Sequence, residues 1–96
     1  MFSKTEIETK LIQMKPVLAD KFHVSKIGYF GSYSKGNQNE LSDIDLLVEF
    51  SQPIGWDFFI LEKFLEQSFG FPVDLVTENA LKDRIKESIL NQVQFV

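Results

Sequence analysis

The chain has no cysteine, which removes disulfide bridges and thiolate metal sites from its chemistry. No apolar stretch nears the ~20 residues that a helix needs to cross a bilayer. The opening residues Met1-Phe2-Ser3-Lys4-Thr5-Glu6 hold no apolar signal core. Positive charge is also short: ten Lys and Arg stand against fourteen Asp and Glu, for a net charge of −4. That balance argues against direct nucleic-acid binding through a large basic face. There is one histidine, His23, which reads as structural at a helix end. Together these absences lead us to expect a cytoplasmic protein with no membrane partner. What the chain does have is apolar residues, 44% of the total and ten of them Phe, enough to fold. Its 96 residues suit one domain, 1–96, with one modest core and no second module.

Ser3 and Glu6 have capping-box spacing, and Ile7, Leu11, Met14 and Leu18 recur at helical spacing. A helix over 3–21 follows, with Pro16 expected to kink or split it. Val24 to Phe30 reads as a strand in which Gly28 marks a weak point or a close backbone approach. Gly31 ends it, and Ser32 is placed to cap a helical turn through Lys35. Gly36-Asn37-Gln38-Asn39 is a polar turn. Asp43 to Phe50 is a second strand, and its unbroken Leu46-Leu47-Val48 run predicts burial on both faces. A helix over 56–69 has an unusually wide apolar surface and ends at Gly70. Val73 to Val76 is a third strand. Leu81, Ile85, Ile89 and Val93 form the stripe of a last helix. The order α-β-α-β-α-β-α predicts a small α/β (α+β) fold with a three-stranded mixed sheet flanked by helices. The short link between the first two strands suits an antiparallel pair, and the helical crossover to the third suits a parallel one.

Asp43 and Asp45 stand two apart on a strand, so their side chains share one face with Cα atoms ~6–7 Å apart. Two like charges there need a counterion, and Mg²⁺ prefers carboxylate oxygens together with phosphate. The pair alone is equally compatible with two aspartates facing water. Asp74, flanked by Val73 and Leu75, joins them if the third strand pairs with the second. Three carboxylates around two cations is a layout for phosphoryl or nucleotidyl transfer, with Asp74 placed to orient or deprotonate an attacking hydroxyl. Gly31 allows close backbone approach, Ser32 offers a hydroxyl and amides to phosphate, and Lys35 adds a point charge. An Asp-x-Asp phosphatase of the haloacid dehalogenase type is excluded: that motif needs Thr or Val where Leu47 stands.

Gly31-Ser32, ten residues, then Asp43-Ile44-Asp45 leading into an apolar strand resembles the signature of the DNA polymerase β-like nucleotidyltransferases. With Ile27–Tyr33, Ser42–Phe50 and Val73–Thr77, the whole chain looks like the minimal nucleotidyltransferase (MNT) branch, and so a small nucleotidyltransferase fold. The resemblance implies metal ligands at Asp43, Asp45 and Asp74, two Mg²⁺ ions, and a nucleotide-phosphate turn at Gly31-Ser32. It further implies transfer of AMP from ATP to a hydroxyl. The acceptor it implies is a tyrosine of a HEPN-domain toxin, which makes the chain an antitoxin in a homo- or hetero-oligomeric assembly. Two departures stand out: Lys35 where many relatives carry arginine, and Asn37-Gln38-Asn39-Glu40 where relatives often have a proline. Lysine keeps the charge but loses the fork geometry. Because so short a chain is expected to leave acceptor binding to the partner, Trp56, Phe58 and Phe59 and the Phe95-Val96 tail are candidates for a partner surface, with covering the sheet of a small domain as the alternative for most of them. Lys82, Arg84 and Lys86 either flank the site or form a solvated face. The alternative function is a catalytically silent binding module that neutralises its partner by complex formation.

Overall fold

The computed structural model describes residues 2–36 and 43–96, so the turn expected at 36–39 lies, apart from Gly36, outside the described residues. The capping box forms as the sequence predicts. Ser3 Oγ accepts from the Glu6 N–H, and Glu6 Oε1 accepts from the Ser3 N–H, both at 3.1 Å. Helix α1 then runs Lys4–Phe22, with Ile7, Leu11 and Leu18 buried. The split expected at Pro16 does not occur, and α1 is one element across it. The carbonyl that Pro16 leaves unbonded belongs to Ile12, on an exposed flank where water can take the bond. His23 closes the helix at φ 56°, its N–H donating to the Ala19 and Leu18 carbonyls, a structural role as expected.

The other elements are strand β1 (Val24–Phe30), a short helix α2 (Ser32–Lys35), strand β2 (Ile44–Phe50), helix α3 (Asp57–Phe69), strand β3 (Val73–Thr77), helix α4 (Asp83–Gln92) and strand β4 (Gln94–Phe95). A single 3₁₀ turn, Glu78–Ala80, links β3 to α4. β1 pairs antiparallel with β2, and β2 pairs parallel with β3, as the connection lengths require. Among the described residues the sheet has four strands rather than three, in the order β3-β2-β1-β4. The last helix stops at Gln92, and the chain then extends so that Gln94 and Phe95 pair antiparallel with Tyr29 and Gly28. Val93 sits at the fourth-residue spacing of the Leu81-Ile85-Ile89 stripe, which hides this turn from a reading of periodicity. Gly28 permits the addition: a Cβ there would stand 2.6 Å from the Gln94 carbonyl oxygen and 2.9 Å from Val93 Cγ2.

Strand alternation divides the sheet into two unequal faces. Ile44, Leu46 and Val48 of β2 point to the face covered by α1 and α3, in a cluster with Ile7, Leu11, Leu61 and Leu65. Leu47 points to the other face, where among the described residues Phe30 and Ile89 are the other buried members of the cluster. The Leu46-Leu47-Val48 run is therefore buried on both sides, as expected of a central strand.

Candidate active site

Asp45 lies on the α4 face of the sheet because it shares the parity of Leu47. Asp43 is the residue but one before it, just ahead of β2. The parallel register sets Asp45 directly beside Asp74. All three candidate carboxylates therefore come to one end of one face. Asp74 reaches it for a reason other than burial. It is exposed, while its neighbours Val73 and Leu75 turn to the buried face. Asp43 is also exposed, and Asp45 is half-buried. Loss of water around Asp45, and then the charges of Asp74 and Asp43, push its pKa from 3.8 to about 6.

Neither ion pair found among the described residues, Lys26–Glu49 and Lys86–Glu78, involves these aspartates. Their donor chemistry fits a hard divalent cation. The side chains reach one another electrostatically, yet among the described residues no group of three His, Cys, Asp or Glu converges tightly enough to hold an ion as it stands.

Gly31 forms the opposite wall. It adopts φ 72° and ψ −143°, a region that favours glycine, and a Cβ there would collide with Asp45 Oδ2. The helix cap belongs to Gly31 and not, as expected, to Ser32, which is the first residue of α2. Ser32 is half-buried and Lys35 is exposed. Tyr33 packs in the main core, and among the described residues its hydroxyl has no hydrogen-bond partner. Ser34, absent from the sequence reading, donates from Oγ to the Gln92 carbonyl at 2.5 Å. The two residues are 58 positions apart, so no local pattern signals the bond.

Other candidates fall elsewhere. Lys86 pairs with Glu78 at 3.4 Å, beyond the far end of β3, and Lys82 and Arg84 are exposed. Trp56 is 83% and Phe59 55% exposed, with ring centroids 5.7 Å apart, whereas Phe58 packs against the core. Phe58 adjoins Phe50, at the opposite end of β2 from Asp45 and on its other face. Five residues of strand put about 16 Å between those ends.

A mixed sheet with paired strand-borne aspartates facing a glycine-serine turn defines a nucleotidyl-transfer domain. The chain belongs to the nucleotidyltransferase domain family, which matches residues 11–96, and within it to the minimal nucleotidyltransferases. By family it is an enzyme. It is 41% identical over 97 residues to the protein adenylyltransferase MntA of Thermococcus cleftensis, covering 100% of this chain and 98% of that one. A solved structure assigned by its description to the minimal nucleotidyltransferases superposes with a TM-score of 0.81 at 28% identity, covering 97% of this chain and 95% of that one. Another, a toxin–antitoxin crystal structure with AMP-PNP, matches with a TM-score of 0.74 at 28% identity, over 92% of this chain and 70% of that one.

Proposed function

We propose that the chain, acting as one domain over 1–96, is a Mg²⁺-dependent protein adenylyltransferase. It moves AMP from ATP to a tyrosine hydroxyl of a HEPN-type partner toxin in the cytoplasm, and so acts as antitoxin. The observation that carries this reading is the register of Asp45 against Asp74, with Asp43 ahead of them and Gly31 facing them. The likeness to an adenylyltransferase and to a toxin–antitoxin structure with an ATP analogue supports it.

Asp43, Asp45 and Asp74 would hold two divalent ions, which when bound neutralise triphosphate charge and acidify the attacking hydroxyl. Gly31 and Ser32 orient the triphosphate from the other side, and Lys35 adds charge at its edge. The acceptor oxygen forms a bond to the α-phosphorus, and the bond from that phosphorus to the bridging oxygen breaks. Pyrophosphate leaves, and Asp74 takes the hydroxyl proton. Incubation with α-labelled ATP, Mg²⁺ and the partner should label the partner, and Asp43→Asn or Asp45→Asn should abolish the label. Absence of label with every divalent metal tried would refute the reading.

A second reading is favoured by the exposed Trp56 and Phe59: neutralisation by complex formation alone. It requires the aspartate variants to bind and neutralise as well as the unaltered protein. Binding without neutralisation would exclude it.

A further inference from the structure

The turn that faces Asp45 has little of its own to hold it in place. α2 is only four residues long, lies between glycines at φ 72° and φ 77°, and begins without a side-chain cap. So short a helix has no independent stability, and contacts from elsewhere must set its position. One is the burial of Tyr33 in the main core. Another, among the described residues, is the bond from Ser34 Oγ to the Gln92 carbonyl.

Gln92 is itself held. It is the last residue of α4, and the chain after it is fastened along β1. The Val96 N–H donates to the Ile27 carbonyl at 3.0 Å, and Lys15 Nζ donates to the Val96 carbonyl oxygen at 2.9 Å. Ile89 and Val93 pack in the cluster that contains Phe30, the residue before Gly31. The same C-terminal segment thus grips β1 up to the turn and α2 just beyond it. Gly31, between the two grips, is where a Cβ would strike Asp45.

We propose that Ser34 is a positioning residue for nucleotide binding. Its bond to Gln92 sets the tilt of α2 and thereby the place of Gly31 and Ser32 relative to Asp45. This deepens the adenylyltransferase reading and rests on it. Ser34 touches neither nucleotide nor metal in this scheme. Its loss loosens the turn while the three aspartates stay where β2 and β3 put them. The cost therefore falls on nucleotide affinity rather than on turnover.

The test compares the unaltered protein, Ser34→Ala and Ser34→Thr. The readouts are the Kd for AMP-PNP with Mg²⁺, the KM for ATP, kcat on the partner, and the thermal midpoint. Removal of one hydrogen bond should raise Kd and KM about three- to tenfold, with kcat within about twofold and the midpoint little changed. Ser34→Thr, which keeps the hydroxyl, should restore both constants. Unchanged Kd and KM in Ser34→Ala would overturn the proposal. So would a fall in kcat or midpoint alone, or failure of Ser34→Ala to fold, since each assigns the hydroxyl another role. If the unaltered protein binds AMP-PNP but transfers nothing, the adenylyltransferase reading fails and the Kd comparison still decides Ser34. If it binds no nucleotide, both fall.

Discussion

The two faces of the sheet have divided the work of the molecule. The face under α1 and α3 is dry and built from apolar side chains of β1, β2 and β3 interleaved with two long helices. The other face has a small cluster around Phe30, Leu47 and Ile89, and beyond it the strand-borne aspartates Asp45 and Asp74. Adjacent residues on β2 serve opposite ends: Leu46 builds the fold and Asp45 belongs to the proposed site. One face can therefore tolerate mutually repelling carboxylates because the other supplies most of the apolar burial.

Substitution can break that division directly. On the carboxylate face, Asp45→Asn should lower AMP transfer at least about a hundredfold, by loss of charge where the proposed mechanism stabilises the transferring phosphate. Its thermal midpoint should hold or rise, because a repelling charge is gone. A large loss of stability in this variant would show that the faces are not separable. On the dry face, Leu46→Ala should cost about 2–5 kcal/mol in denaturant unfolding. Activity of the fraction that stays folded should be little changed.

A pH series sharpens the contrast. The folded pKa of Asp45 is raised from 3.8 to about 6. A raised carboxylate binds its proton more tightly in the folded state. Its stabilising contribution is complete below the unfolded value and is lost as pH rises through about 6. Without divalent metal, the thermal midpoint of Asp45→Asn should therefore gain on that of the unaltered protein as pH climbs through this window. A constant difference between the two would contradict the repulsion. The smallest effect is expected at Trp56. Trp56→Ser should change stability by no more than about 0.5 kcal/mol, since the side chain is largely exposed. It should leave AMP-PNP binding intact, and weakened partner binding, measured by calorimetry, would identify the far end of α3 as a holding surface.

Most of the fold was legible because its signals are periodic. The capping box, the bounds of β1, and the parity that puts Asp43 and Asp45 on one face all follow from short-range spacing. Asp74 was legible only through an assumed pairing of β3 with β2, which the register bears out. What escaped depends on distant partners. β4 has two residues, too few to show alternation, and Val93 continues the helical spacing past the end of α4. The capping role passed from Ser32 to Gly31 because the tight approach to Asp45 demands a left-handed residue without a side chain. The exposed aromatics were legible as an excess, but their distance from the aspartates follows from topology.

The contact between Gly31 and Asp45 has a genetic consequence. Any side chain at position 31 must enter space that the position 45 carboxylate occupies, so the two positions cannot vary independently. Gly31→Ala should behave as an allele of the Asp45 site. Its suppressors should arise in the segments that set the spacing between β1 and β2, rather than within the turn itself.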